Sequence, residues 1–453
     1  MISAVTRPAG ILLLLLCQGF MAFSQPADSL HNNLREANWN YHFQFTGIMQ
    51  GHPDFQAAYT GRNSMSTAAE QDFSVTTTLF LGRRLWKGAG LYFNPEIAGG
   101  KGMSSTLGIA GFPNGECFRI GDPSPTLYIG RIFIRQHFSL SKTAGSDTVS
   151  TDLNQLGNER VPSRRITLTA GKFSLADIFD NNACSHDPRT QFMNWALMSN
   201  GAWDYPANTR GYTWGFALEF VIPGYAIRFA ETTEPLVANG SEFDWNVTKA
   251  RGETLELEKD FSVKGKKGAV RLLLYQNQSR AGSYRKAINN LLSGVDTLMN
   301  VNTQTTYGGI KYGVGLNADQ ALTENATAFL RAGWNDGQSA SWAFTEIDQT
   351  LSGGITFKGK RWKRPNDIFG IAGIVNGISK DHWDFLNYGG YGFLIGDGKL
   401  PHYGTEEILE TYYSAQITKS LWLSADYQYV QNPAYNRDRG PINVWALRAH
   451  VQF

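Results

Sequence analysis

The sequence predicts an all-β protein whose strands form one closed antiparallel transmembrane β-barrel of about 16 strands (16 to 18) with long extracellular loops. Three observations support this fold class. Apolar and polar residues alternate with a period of two along most of the chain. Charged residues repeatedly occupy the polar side of that alternation. The chain ends in VWALRAHVQF, residues 444–453, which alternates in the same way and finishes on Phe453.

The first element is a secretory leader. Arg7 precedes the apolar run AGILLLLLCQGFMAF, which ends at a small-residue cleavage site, so residues 1–24 have the pattern of a signal peptide and the mature chain begins at Gln25. Cys17 lies in the apolar run and is expected to leave with the leader. Residues 25–453 are predicted to form a single outer-membrane barrel domain.

The mature chain contains no run of about 18 apolar residues, so the sequence offers no transmembrane helix. Aromatic residues make up 13% of the chain and glycines number 48, a composition suited to many strands and turns. Lys and Arg total 41 against 39 Asp and Glu, which leaves no charge excess of the kind that nucleic-acid partners require. These features narrow the class to a secreted all-β protein or an outer-membrane barrel.

The alternation defines two faces for each predicted strand. In residues 39–45 one face contains Trp39, Tyr41, Phe43 and Phe45. In residues 128–140 the apolar face contains Tyr128, Ile132, Ile134, Phe138 and Leu140, and the other face contains Arg131, Arg135 and His137. Near the end, Leu421, Leu423, Ala425, Tyr427 and Tyr429 oppose Ser424, Asp426 and Gln428. Charge therefore recurs on the second face.

Alternation alone does not separate a soluble sandwich from a membrane barrel. Residues 25–453 contain no linker-like boundary, and a single antiparallel sheet of that length has to close. The apolar face then meets outer-membrane lipid, and the last strand closes the barrel with an ending that outer-membrane assembly machinery would recognise. Two long polar segments, Ser141–Ser163 and Tyr284–Thr303, are predicted to be extracellular loops.

The faces opposite the lipid would line the pore. Inward arginines and carboxylates predicted from the alternation are Arg131, Arg135, Arg228, Arg271, Arg448, Glu96, Glu219, Glu410 and Asp426. A wall of both signs supplies paired donors and acceptors and suits a neutral, hydroxyl-rich solute. Inward aromatic candidates for stacking on a sugar are Tyr92, Tyr275, Tyr412 and Trp422. The alternative is that the inward charges pair across the barrel and only keep it open.

Two cysteines remain in the mature chain. Cys117 and Cys184 lie in Gly/Pro/Asn-rich stretches of a protein exported to an oxidising compartment, which favours a loop-to-loop disulfide over two separate buried thiols. Catalytic motifs are absent: there is no Gly-x-Ser-x-Gly and no His-Glu-x-x-His, and His137 and His186 with nearby serines give only weak support to a lipid-hydrolysing barrel. The sequence suggests no cofactor and no metal.

Several phrases resemble the OprB-type carbohydrate-selective porins. They are TLTAGKFSLADIFDNN (167–182), RTQFMNWALM (189–198), KYGVGLNADQALTENATAFLRAGWNDG (311–337), RWKRPNDIFGIA (361–372) and residues 406–441. The resemblance implies a 16-stranded barrel of a Gram-negative outer membrane that passes glucose and related sugars through a constriction of arginines and carboxylates. Carried over onto this chain, it adds Arg331 and Asp336 to the pore residues and supports Glu410 and Asp426.

Three functions follow as hypotheses. The first is a passive sugar channel, the second a general or anion-preferring porin motivated by the inward arginines, and the third a lipid-acting barrel enzyme motivated by His137 and His186. The expected partners are sugar solutes and outer-membrane lipid, with no nucleic acid. Association into homo-oligomers is left open by the sequence.

Overall fold

The computed structural model describes residues 39–117, 124–141, 148–151 and 159–453. The predicted signal peptide, with Cys17, and the predicted mature terminus Gln25 lie outside these residues. The strands are β1 (Trp39–His52), β2 (Glu70–Trp86), β3 (Ala89–Gly99), β4 (Thr126–Ser139), β5 (Thr148–Thr151), β6 (Glu159–Pro162), β7 (Arg165–Phe173), β8 (Thr213–Ile222), β9 (Tyr225–Thr233), β10 (Arg251–Val263), β11 (Lys266–Ser279), β12 (Gly309–Ala321), β13 (Ala326–Asn335), β14 (Gln349–Gly359), β15 (Arg364–Gly377), β16 (Glu406–Gln416), β17 (Leu421–Gln431) and β18 (Ile442–Gln452).

Three α-helices lie in the connections, namely α1 (Trp195–Met198), α2 (Tyr284–Leu292) and α3 (Lys380–Asn387). Within the described part of the chain, no helix combines the length and apolar character needed to cross a membrane. A serine precedes each of α2 and α3 and caps its N-terminus. The side chains of Ser283 and Ser379 accept hydrogen bonds from backbone N–H groups of the first turn.

Sixteen of the described strands form one closed antiparallel barrel. Each strand pairs with its neighbours in the chain, β4 pairs directly with β7, and β5 and β6 form a separate two-stranded sheet. The predicted closed barrel and its strand number are confirmed. Closure removes the open edges that a sheet of this size would otherwise expose.

The last strand completes the barrel. β18 pairs with β1 in a register that places Gln452 opposite Gln44. The backbone N–H of Phe43 donates to the carbonyl of Phe453 at 2.8 Å, and the N–H of Phe453 donates to the carbonyl of Phe43 at 3.1 Å. The two rings stack with centroids 5.1 Å apart. The terminal phenylalanine is therefore part of the seam.

The two faces of the wall differ as predicted. Large apolar side chains point outward and remain exposed, as Leu127 does at 68% and Leu447 at 52%. Side chains of the opposite face, such as Arg331 and Glu410, are fully buried within the barrel. A closed barrel with an apolar outer surface is stable in lipid, because contact between so large an apolar area and water is unfavourable.

One residue of β4 departs from the predicted alternation. The register between β3 and β4 shifts so that Asn94 pairs with Arg131 and Pro95 pairs with Ile129, which leaves Gly130 as an extra residue. This β-bulge reverses the parity of the strand before it. Tyr128, predicted on the lipid-facing side, instead points inward, and its hydroxyl donates to the Glu96 carboxylate.

The connections alternate between two ends of the barrel. At one end lie tight turns, such as 264–265, where Lys264 and Gly265 have φ values of +50° and +75° and close a two-residue hairpin. At the other end lie eight long loops: L1 (53–69), L2 (100–125), L3 (174–212), L4 (234–250), L5 (280–308), L6 (336–348), L7 (378–405) and L8 (432–441). In outer-membrane barrels the tight turns face the periplasm and the long loops face outward.

The segment Ser141–Ser163 was predicted to be extracellular, and this is wrong. It connects β4 to β7 at the end that carries the tight turns, because antiparallel neighbours alternate in direction and β4 runs away from L2. Its described part contains the β5–β6 hairpin, and residues 142–147 and 152–158 lie outside the described residues. The segment Tyr284–Thr303 belongs to L5 and lies at the long-loop end, as predicted.

Candidate functional site

L3 folds into the barrel and fills much of it. Its apolar side chains are almost completely inaccessible to solvent, among them Leu175, Phe179, Phe192, Leu197 and Trp203. α1 lies within L3 and begins at Asn194, whose side chain accepts from the Ala196 N–H. A connection this apolar is stable only if the lumen covers it.

Inward residues of the wall hold L3 in place. Glu410 on β16 accepts from the backbone N–H groups of Met193 at 2.6 Å and Asn194 at 3.1 Å. Arg448 on β18 donates to the carbonyls of Pro188 and Gln191, each at 2.7 Å. These bonds satisfy backbone groups that L3 would otherwise bury without partners.

Arg331 on β13 forms the central anchor. Its Nε lies 3.0 Å from a carboxylate oxygen of Asp180, its Nη1 donates to the Leu197 carbonyl at 2.8 Å, and its Nη2 donates to the Asp180 carbonyl at 3.0 Å. Asn317 on β12 donates to the same Asp180 carboxylate at 2.6 Å. These anchors come from β12 to β18, and β10 adds another, because the Asp180 N–H donates to Glu256 at 2.6 Å.

A cavity of about 140 Å³ lies between L3 and the wall. The wall contributes Gln44 from β1, Phe80 from β2 and Arg131 from β4. The charged residues that line the cavity are Glu116, Arg131, Asp177, Asp187, Arg189 and Arg210. The cavity therefore lies beside L3 and is lined by charges of both signs.

Arg131 and Asp177 form the first ion pair of the cavity. Nε and Nη2 of Arg131 each lie 2.6 Å from a carboxylate oxygen of Asp177, a bidentate arrangement that fixes both side chains. Asp177 also closes the short helical turn Leu175–Asp177 in a capping box with Ser174. The start of L3 is thereby fixed to β4.

Arg189 forms the second charged group of the cavity. It lies 2.8 Å from Glu116 of L2 and 3.1 Å from Glu96 of β3. Burial opposes the charge of Arg189, yet Glu116 and Glu96 hold its pKa well above the usual range. Burial also raises the pKa of the Glu116 carboxyl, although Arg189 acts in the opposite direction. Arg189 is therefore the cation that compensates two carboxylates.

Aromatic side chains contact the charged groups beside the cavity. The Arg210 guanidinium lies 3.8 Å from the centre of the Tyr128 ring, and the Tyr212 hydroxyl donates to Glu96 at 3.2 Å. A second cavity of about 90 Å³ adjoins the first and shares Met198, Tyr205 and Arg210 with it. The two cavities follow the same side of L3.

Of the predicted pore residues, Arg131 lines this cavity. Arg228, Arg271 and Glu219 point inward, but they belong to a separate ionic chain across β8 to β12. In it Arg228 lies 3.2 Å from Glu219, 2.8 Å from Glu256 and 3.1 Å from Glu258, and Arg271 lies 2.7 Å from Glu258 and 2.8 Å from Asp319. The sequence left open that inward charges pair with one another instead of contacting a solute, and these three residues do so.

The remaining predicted residues occupy other places. Arg135 points inward and donates to Thr169 at 3.0 Å, and Asp426 accepts from Gln428 at 3.1 Å. Asp336, taken from the resemblance, follows the end of β13 at the rim and contributes to neither cavity. Side chains alternate between the two faces of a strand, so position 336 falls on the same side as the outward-facing Trp334 and position 331 falls on the inward side.

The inward aromatic candidates are packed rather than presented to solute. Tyr92 stacks on Phe133 at 4.8 Å, and the Tyr275 hydroxyl donates to the Ala202 carbonyl of L3 at 2.7 Å. Tyr412 packs edge-on against Phe192 of L3 at 4.9 Å. Trp422 is half-buried beside His450, with ring centroids 6.1 Å apart.

The predicted disulfide between Cys117 and Cys184 is wrong, because both thiols are free and buried. Asn114 donates to Cys117 Sγ at 3.3 Å and also bonds Ser74 of β2, whereas Cys184 Sγ contacts Thr356 of β14 at 3.3 Å. Five strands separate β2 from β14 around the barrel. The two loops are anchored too far apart for the short Cα separation that a disulfide needs.

We expect both thiols to resist alkylation in the folded protein. Burial raises the pKa of Cys117 to about 12 and that of Cys184 to about 11, so the reactive thiolate is scarce at neutral pH. Mass spectrometry after N-ethylmaleimide treatment without reductant should find both cysteines unmodified in detergent-solubilised barrels and both modified after unfolding. Modification that requires a reductant would demonstrate a disulfide instead.

The histidines of the enzyme hypothesis do not form a catalytic arrangement with serine in the described residues. His137 Nδ1 lies 2.8 Å from Thr167 Oγ1, and the backbone N–H of His186 donates to Gln191 at 2.7 Å. Burial, with Arg331 nearby, lowers the pKa of His186. Among the described residues no group of three or more His, Cys, Asp and Glu side chains is arranged to hold a metal ion.

Sequence reasoning missed the L2 and L3 residues that line the cavity, namely Glu116, Asp177, Asp187, Arg189 and Arg210. Alternation reveals only wall residues, and these five belong to loops. One signal was available. The run FMNWALM, residues 192–198, is too apolar for a loop exposed to water, and its composition indicates a connection that folds inward.

A closed antiparallel barrel with an apolar outer face, tight turns at one end and an inward-folded loop beside a charged passage defines the class of outer-membrane porins. The family model described as carbohydrate-selective porin, OprB family, matches residues 62–453. The chain belongs to this family, and it is a porin of the Gram-negative outer membrane.

Solved structures agree with this fold. OprB from Pseudomonas putida, in a structure at high pH, has a TM-score of 0.69 and 16% identity and aligns over 93% of this chain and 96% of that one. DcaP, an outer membrane channel of Acinetobacter baumannii, has a TM-score of 0.50 and 10% identity over 92% and 97%. At such identities the likeness shows the fold alone. No curated protein matches the sequence.

Proposed function

We propose that the chain lets carbohydrates, glucose and related mono- and oligosaccharides, diffuse passively across the outer membrane through the cavity between L3 and the wall. The observation that carries the proposal is the pairing of charges within that cavity. Arg131 is paired with Asp177, and Arg189 is paired with Glu116 and Glu96. The family to which the chain belongs is described by carbohydrate selectivity.

The chemistry of such a passage suits a neutral solute. Guanidinium groups only donate hydrogen bonds and carboxylates only accept them, so each ion pair offers both functions to a hydroxyl group that can use either. Opposite charges held together leave little net field to retain an ion. A sugar that exchanges water for these contacts binds weakly enough to leave again, which is the condition for conduction.

The experiment is single-channel recording in planar bilayers. We expect discrete openings in potassium chloride and a reduced current when glucose or maltose oligomers are added at millimolar concentration, because a sugar in the passage displaces ions. The control is the variant R361Q, which removes a cation from an exposed tight turn and should leave the sugar effect unchanged. Absent openings, or a current that glucose and maltose oligomers do not alter, would contradict the proposal.

We assign no catalytic role to the barrel. Purified protein should release no fatty acid from phospholipid vesicles, and release above that of empty detergent micelles would revive the enzyme hypothesis based on His137 and His186. Association into homo-oligomers and recognition of the terminal strand by assembly machinery stay predictions from the sequence.

A further inference from the structure

Two inward arginines of the barrel wall neither face a carboxylate in an ion pair among the described residues nor hold L3, as Arg448 does through the Pro188 and Gln191 carbonyls. Arg131, Arg228, Arg271 and Arg331 each face at least one carboxylate in an ion pair. Arg135 on β4 and Arg165 on β7 point into the barrel, are only 6% and 7% exposed, and form no ion pair among the described residues. A buried cation without a counter-ion is costly, so such a pair requires an explanation.

The two arginines lie on adjacent strands and face the same space. In the β4–β7 register, Arg135 pairs with Thr169, His137 with Thr167, and Ser139 with Arg165. His137 is thus two residues from Arg135 on one strand and diagonal to Arg165 across the pair, a separation of about 7 Å in each direction. Arg135 and Arg165 are offset by four residues in this register, about 13 Å along the strands, and His137 lies between them. Arg135, His137 and Arg165, with the two threonine hydroxyls, form a basic patch.

Much of the donor capacity of this patch is unused. Arg135 donates through Nε to Thr169 at 3.0 Å, and Arg165 donates through Nη1 to the Pro162 carbonyl at 3.2 Å. The Arg135 guanidinium also lies 5.0 Å from the centre of the Phe133 ring and 5.6 Å from that of Tyr92, and its terminal nitrogens donate no hydrogen bond to a described residue. The buried Nε of Arg165 has no hydrogen-bond partner among the described residues. His137 bonds Thr167 through Nδ1, which leaves Nε2. These donors belong to two adjacent strands of the wall.

No carboxylate among the described residues forms an ion pair with the patch. The nearest carboxylate of the wall is Glu219 on β8, which pairs in register with Thr167. Glu219 is already engaged by Arg228 at 3.2 Å, and Arg228 is itself part of the ionic chain on β8 to β12. The partners in register are Thr169 and Gly90 for Arg135, and Ser139 and Val221 for Arg165, none of which carries a charge. Nothing described on β3, β4, β7 or β8 supplies a free anion to Arg135 or Arg165.

We propose that Arg135, His137 and Arg165 form a subsite in the lumen for an oxyanion, such as the phosphate or carboxylate group of a solute. A planar guanidinium presents forked N–H groups that match the oxygens of phosphate and carboxylate. β4 runs from L2 towards the tight-turn end, so Arg135 lies about 13 Å beyond Arg131 along the strand. A solute that passes the constriction reaches the subsite on its way to the periplasm. The inference rests on the proposed function in one respect: a solute must enter through the proposed passage to reach the subsite.

The test measures block of the channel current by inorganic phosphate in planar bilayers, with chloride as the carrier ion. The wild-type barrel should show phosphate block, and R135Q/R165Q should need at least tenfold more phosphate for the same block. The variant R135K/R165K keeps the charge but loses the forked geometry, so its block should lie between those of the wild type and R135Q/R165Q, which also controls for folding. The matched control is R83Q/R361Q, which removes two exposed arginines near the tight-turn end outside the lumen.

Three solutes separate the sources of the anion. Glucose 6-phosphate and inorganic phosphate should both lose effect in R135Q/R165Q, whereas the effect of glucose should not change. Equal phosphate block in the wild type and R135Q/R165Q overturns the subsite, as does equal loss in R83Q/R361Q. If phosphate block depends on the two arginines while glucose has no effect on any variant, the subsite stands and the sugar function fails. If glucose reduces the current while phosphate block does not depend on the two arginines, the subsite fails and the sugar function stands.

Discussion

Replacing Arg331 with methionine is expected to open the pore, raising its single-channel conductance several-fold. Arg331 is completely buried and holds Asp180 and the Leu197 carbonyl of L3 against β13. Methionine removes the cation and leaves Asp180 buried without it, which costs about 3–5 kcal/mol for a buried pair. That cost falls on the docking of L3, because the hydrogen bonds between the strands do not depend on this side chain.

Two measurements distinguish loss of docking from loss of folding. Limited proteolysis should cleave R331M within L3 while the barrel remains resistant, and the conductance of R361M, altered in an exposed turn, should match the wild type. The double variant R331M/D180N removes both charges and should recover part of the docking, since an uncompensated buried charge is then absent. A small, stable conductance in R331M would show that the other anchors suffice.

Replacing Arg189 with glutamine is expected to make the pore strongly cation-selective. Arg189 is the cation between Glu116 and Glu96, and its loss leaves two carboxylates facing the cavity. At a separation near 4 Å a pair of unit charges interacts by on the order of 4 kcal/mol at an effective dielectric constant of about 20, so a permeating cation gains substantially there. Reversal potentials in a potassium chloride gradient should shift in the cation-selective direction by a several-fold change in permeability ratio.

The charge balance can be restored to check this origin. R189Q/E116Q should return the reversal potential towards the wild-type value, and R189K should show a smaller shift than R189Q because lysine keeps the charge but loses the forked geometry. R361Q serves as the charge-matched control outside the lumen. An unchanged reversal potential in R189Q would mean that ions do not pass by Arg189.

The wall of this protein is predictable from local patterns. Alternation placed Leu447 and Leu423 in lipid and Arg228 and Glu410 inside, because a two-residue period and a single lipid-facing side leave little freedom. The limit of that reasoning is visible at Gly130, where one extra residue reverses the parity of Tyr128. A bulge depends on the pairing of two strands, and no single strand records it.

The residues that line the cavity are less predictable from the sequence than those of the wall, for a different reason. The wall residues Arg331 and Arg448 point inward as expected, yet they bind L3 rather than solute. The residues that line the passage, Arg189 and Glu116, come from loops whose path depends on contacts far away in the sequence. The free thiols illustrate the same point: exported cysteines in two loops suggested a bond, but L2 and L3 carry them to separate parts of the wall.

The seam between β1 and β18 has a consequence for biogenesis. The final residue, Phe453, exchanges hydrogen bonds with Phe43, almost at the beginning of the described chain. A chain that lacks β18 therefore retains two unpaired margins, one on β1 and one on β17. Loss of this single strand is thus expected to keep the wall from becoming a sealed cylinder.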